Sequence, residues 1–183
     1  MSSKSSGEAF ISVDIEAAGP IPGQYSMLSL GACLVEDLDH SFYVELRPIN
    51  DNAEPKALEI TGFSLAALRV SGEKPEDAIV KFWNWIKAAA GTRTPIFVGF
   101  NAGFDWSFVN WYFHTYVKEN PFGFAPLDIK AYYMGLSGCS WSDTKSSRIP
   151  QEYQSSPHEK HNALSDAKAQ AEVFSKLLAA PRR

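Results

Sequence analysis

Two acids stand one residue apart in SVDIEA, residues 12–17, at the end of the apolar run FISV. Side chains alternate along a strand, so Asp14 and Glu16 project to one face while Val13 and Ile15 project to the other. Like charges this close raise each other's proton affinity or require a cation between them. Taken alone, the pair suits the solvated outer face of an edge strand. Two more acids change that reading: Asp105 follows the apolar run IFVGF, and Asp166 lies in the first turn of a closing helix, in line with Ala169, Val173 and Leu177. A carboxylate on an apolar stripe is paired, neutralised or bound to a metal. Lys168 points elsewhere on that helix, which leaves a distant arginine or a cation as the partner. His161 precedes Asp166 by five positions, about 140° around a continuous helix. The two converge only if His161 belongs to the loop before Asn162 and folds back over the site; otherwise it is a solvated surface residue.

The acids need elements to bring them together. AFISVD is short and β-branched enough for a central strand, stopped by the prolines and glycines of AAGPIPG. YSMLSLGACLVED and SFYVELRP alternate as an antiparallel hairpin joined by DLDH. EPKALEIT and SLAALRVSG are short helical pieces. KPEDAIVKFWNWIKAAAG is an amphipathic helix opened by Pro75 and closed at Gly91, its Trp83 and Trp85 packing rather than stacking on a ligand. TPIFVGF is a strand, followed by a helix over residues 103–120 with Phe104, Phe108, Trp111 and Thr115 on one stripe. APLDIKAYYMGL repeats the strand-helix step with Asp128, and a helix capped by Asn162 closes the chain. The sum is an α/β fold: a mixed sheet, antiparallel at one edge and parallel toward the other, flanked by helices, with ligands expected where strands end.

VDIEAAGP, FVGFNAGFDWSFVN and HNALSDAKAQA resemble, in order, the three motifs of the DEDDh (DnaQ-like) 3'-5' exonucleases, and EPKALEITGFSLAAL resembles the segment between hairpin and middle helix in that family. The resemblance implies an RNase H-like fold with five strands. It also implies an enzyme that hydrolyses phosphodiester bonds from the 3' end of single-stranded or short nucleic acid and releases nucleoside 5'-monophosphates. By the same resemblance Asp14, Glu16 and Asp166 hold a cation that activates water, Asp14 bridges to a second, Asp105 supports that second ion, and His161 is the general base. An imidazole with its ordinary pKa near 6.5 suits that task near neutral pH. Hard oxygen ligands favour Mg²⁺ or Mn²⁺, and two such ions serve an in-line displacement at phosphorus. Asn101 and Phe104 are placed beside the terminal nucleotide, although Phe104 also suits plain packing. Many relatives carry threonine directly after the second acid, with its hydroxyl on the substrate; Ala17 departs from that pattern.

Composition bounds the rest. With 183 residues, 45% of them hydrophobic, the chain fits one domain over residues 9–180, preceded by a disordered polar tail over residues 1–8. A net charge of -4 argues against a basic coat for long nucleic acid, and the isolated Cys33 and Cys139 suggest neither disulfide nor zinc site. No run reaches the roughly 20 apolar residues of a membrane span, so the expectation is a soluble, cytoplasmic protein without a membrane partner. The polar loop over residues 137–160 shows no period, and its Trp141, Lys145, Arg148, Tyr153 and Lys160 form a mixture suited to stacking bases and holding phosphates. Three readings stay open: an exonuclease on DNA, an RNA-specific exoribonuclease, and a non-catalytic nuclease-fold interaction subunit. Homodimerisation is also open.

Overall fold

The computed structural model describes residues 7–158 and 161–181. A five-stranded sheet runs in the order β3-β2-β1-β4-β5, with β1 Glu8–Ala17, β2 Met27–Leu34, β3 Asp37–Glu45, β4 Thr94–Gly99 and β5 Leu127–Asp128. β1 pairs antiparallel with β2 and parallel with β4, and β4 runs parallel to β5. The hairpin edge and the parallel edge are therefore as the patterning predicts. Helices α1 Pro55–Thr61, α2 Leu65–Ser71, α3 Pro75–Ala90, α4 Gly103–Tyr116, α5 Ile129–Ser137 and α6 Ala163–Ala179 surround it. Among the described residues no helix is long and apolar enough to cross a membrane.

Alternation along β1 separates two cores. Ala9, Ile11, Val13, Ile15 and Ala17 pack with Ile79 and Phe82 of α3 and Phe108, Tyr112 and Phe113 of α4. On the opposite face Cys33, Val98 and Ile129 pack with Phe174 and Leu177 of α6, with Phe10 against them. Asp14 and Glu16 share parity with Phe10, so both turn toward α6. α6 starts where Asn162 Oδ1 accepts from the Ser165 N–H at 3.0 Å. Gly31, opposite Asp14 in register, lets that start lie directly on the sheet: a Cβ there would meet Leu164 N at 2.2 Å.

Several boundaries differ from the sequence reading. β1 begins at Glu8, inside the stretch expected to be a tail; residues 1–6 of that tail lie outside the described residues. The hairpin turns at Val35 and Glu36, and DLDH begins β3 instead of forming the turn, because Leu34 pairs with Asp37. α4 stops at Tyr116 and buries Asp105, Phe108, Val109, Tyr112 and Phe113, so the stripe through Phe104, Trp111 and Thr115 is not its core face. The aperiodic loop folds into three short 3-10 turns, Trp141–Thr144, Ser146–Arg148 and Gln151–Tyr153, pinned by the buried Thr144 and Ile149.

Candidate active site

The acids meet at the C-terminal end of β1. Asp14, Glu16 and Asp166 each offer an oxygen, and these atoms lie within 4.8 Å of one another. Asp105 enters from the first turn of α4 and is 5% exposed. β4 pairs with β1 only as far as Ser12, and beyond that point Asp105 Oδ1 accepts the Ile15 N–H at 3.1 Å. This carboxylate thus finishes the open flank of β1, near enough to Asp14 to raise its proton affinity.

The electrostatics are those of an unneutralised site. Burial, then the charges of Asp105, Asp166 and Glu16, raise Asp14 well above the ordinary carboxylate range, with the Gln170 hydrogen bond opposing. Burial and then Asp166 push Glu16 up to about 7. Burial pushes Asp105 up to about 7, against the Ile15 N–H and its own backbone N–H. Buried carboxylates that repel one another and expose convergent oxygens are a donor set for a hard divalent cation, and the residues present fit one.

His161 sits in the turn before Asn162, with φ of 61°, and its backbone N–H donates to Asp166 Oδ2 at 2.7 Å. The fold-back that the spacing required is therefore made through the main chain, and His161 lines a cavity of about 500 Å³ together with Asp14, Asp166, Ser146, Ile149 and His158. Asn101 is exposed, in left-handed backbone with φ of 65°, and accepts from Lys130 Nζ at 3.4 Å. Phe104 is 38% exposed, its ring centred 5.3 Å from that of the buried Phe108. Ala17 is buried on the α3 and α4 side, just past a bulge in β1, so its methyl presents nothing to a ligand.

Two neighbours of the acids escaped the sequence reading. Gln170 donates from Nε2 to Asp14 Oδ1 at 2.5 Å and accepts the Phe100 N–H at 2.8 Å. It lies four positions after Asp166, so the helical repeat could have found it. His158 places Nε2 3.0 Å from Asp166 Oδ1, and nothing in the aperiodic loop signals it. Of the loop's other candidates, Arg148 is held by Asp143 at 2.7 Å, Tyr153 packs on the α6-side core, and Lys160 lies outside the described residues.

The family model of the RNase T exonucleases matches residues 11–174. The chain belongs to that exonuclease family. It is 50% identical over 168 residues to the 3'-5' DNA exonuclease Cap18 of Escherichia coli, covering 91% of this chain and 90% of that one. Its fold resembles the nuclease domain of 3'hExo, a DEDDh member solved bound to rAMP, with a TM-score of 0.72 at 17% identity over 93% and 92% of the two chains. It also resembles E. coli Exonuclease I in complex with a dT13 oligonucleotide, with a TM-score of 0.70 at 18% identity; the match covers 94% of this chain and 41% of that larger one.

Proposed function

We propose that the protein removes nucleotides from the 3' end of single-stranded DNA with two divalent cations, Mg²⁺ or Mn²⁺. The convergence of Asp14, Glu16 and Asp166 oxygens within 4.8 Å carries the reading: among the described residues no lysine or arginine pairs with these carboxylates, whereas divalent cations suit such a donor set. The choice of DNA follows the relative at 50% identity, which is named a DNA exonuclease. Asp14, Glu16 and Asp166 hold one cation, and Asp14 with Asp105 serves the second. When bound, such a pair supplies Lewis acidity at the scissile phosphate and lowers the pKa of the attacking water. His161, beside Asp166 in the cavity, takes the proton from that water as its oxygen bonds to phosphorus; the P–O3' bond breaks, the upstream strand keeps the 3' oxygen and takes up a proton there, and the nucleoside 5'-monophosphate is released. Asn101 and Phe104 border the terminal nucleotide.

A 5'-labelled oligodeoxynucleotide incubated with Mg²⁺ shortens stepwise from its 3' end, while its RNA counterpart is cut more slowly. Asp14→Ala abolishes shortening, and His161→Ala slows it by about 10²–10⁴-fold, the contribution of a positioned general base. Equal activity of wild type and Asp14→Ala would overturn the assignment.

A further inference from the structure

An acidic protein that threads an anionic strand into a cluster of carboxylates needs cationic help beyond the metal site. Five of its basic side chains are paired with acids: Arg69 with Asp51, Lys81 with Glu73, Arg93 with Glu36, Arg148 with Asp143 and, at 3.9 Å, Lys168 with Asp39. Lys130 is different. Its Nζ lies 4.2 Å from the centre of the Trp141 ring and 3.4 Å from Asn101 Oδ1, with no carboxylate pairing it among the described residues. A neutral amide and a π face orient the ammonium without neutralising it.

The placement is tertiary in origin. Lys130 is in the first turn of α5, at the end of β5; Trp141 opens a 3-10 turn whose Thr144 Oγ1 donates to the Trp141 carbonyl at 2.7 Å. Asn101 joins them from the turn between β4 and α4, four residues before Asp105. The other lysine lying over a tryptophan, Lys87 above Trp83 at 4.1 Å, is one helical turn along α3 from its partner, and that ring is half-buried against the core, so it is a packing contact. Trp141 is 53% exposed. The segment that carries it continues through Ser146 and Ile149 to line the cavity with Asp14 and Asp166. The cavity lining also includes Phe100, next in the chain to Asn101, so the segments that carry Asn101 and Trp141 both continue into the cavity that holds the acids.

We propose that Lys130 and Trp141 form a subsite for the strand upstream of the scissile bond, with Lys130 on a backbone phosphate and Trp141 stacked on a base. The proposal rests on the exonuclease reading and adds a substrate contact to it. Wild type, Lys130→Ala, Trp141→Ala and Trp141→Phe are compared on a deoxydinucleotide, a tetramer and an octamer with Mg²⁺, and by fluorescence anisotropy of the labelled octamer with Ca²⁺. For the octamer, Kd and KM rise about five- to tenfold in each alanine variant, as expected for one stacked base or one phosphate contact. The loss shrinks on the dinucleotide, Trp141→Phe recovers most of it, and Lys130→Ala flattens the dependence of log Kd on log salt by about one ion. Thermal melts establish that the variants fold, with Lys130→Gln replacing any alanine variant at that position that does not. Octamer binding equal to wild type in both alanine variants, or the same loss at every length, overturns the subsite. Absence of Asp14-dependent hydrolysis on any of the three substrates overturns the exonuclease reading instead.

Discussion

Gln170 shows how a residue outside the acid cluster can orient one of its carboxylates. The Phe100 N–H is only a donor, so Gln170 must turn Oε1 toward it and Nε2 toward Asp14 Oδ1. That fixes the Asp14 carboxylate and leaves its second oxygen outside this hydrogen bond, where the proposed cation would take it. Gln170→Leu removes the donor and strands a backbone N–H; Gln170→Asn is too short to span both groups. In each variant the Mg²⁺ concentration giving half-maximal activity rises about tenfold, the scale of losing a group that orients a metal ligand, and titrating activity against Mg²⁺ measures it. The four acids were singled out in the sequence by motif order and by strand and helix starts, and His161 by its place in the third motif, and the fold brings Asp14, Glu16 and Asp166 together. Gln170 was legible in principle, through its four-residue offset from Asp166. His158 was not: it reaches Asp166 from a segment without periodicity, and only the folded path of residues 138–158 brings it there.

At the scale of elements, the decisive contact is between β2 and the start of α6. Gly31 faces Ala163 and Leu164 so closely that any Cβ must displace backbone, and that backbone carries Asn162 and Asp166. Gly31→Ala therefore lifts the first turn of α6 and separates Asp166 from Asp14. Overpacking of this kind costs about 1–3 kcal/mol, so chemical denaturation shows a lowered midpoint. Calorimetry shows weakened Mg²⁺ binding at temperatures where the variant remains folded. Periodicity located α3 and α6 well, since Pro75, Gly91 and Asn162 mark ends chemically. It misplaced the hairpin turn and the buried face of α4. A polar DLDH reads as a turn until pairing with β2 draws it into a strand, and α4 is apolar nearly all round, so its sequence does not single out a face.

For the molecule as a whole, the acid cluster links function to stability. Glu16 and Asp105 are pushed up to about 7, and Asp14 is raised as well. A carboxyl whose pKa is higher folded than unfolded contributes stability that is complete below its unfolded pKa and lost as pH rises through its folded pKa. The metal-free protein thus loses melting temperature between about pH 5 and pH 8 through these groups. Mg²⁺ binds the ionised form and recovers more of that loss at the upper end than at the lower. Differential scanning calorimetry with EDTA and with Mg²⁺ across this range tests it; a cation effect independent of pH would count against the cluster as the binding site. The sequence by itself determined the family and the element types: four acids at strand ends and helix starts, in an order that marks the family, within a pattern that sets strand and helix types. Tertiary structure alone decided which oxygens converge, that Gln170 orients Asp14, and that Lys130 meets Trp141 beside Asn101. Local periods fix which way a side chain leaves its own element, whereas contacts between elements far apart in the chain arise only when the sheet and helices pack.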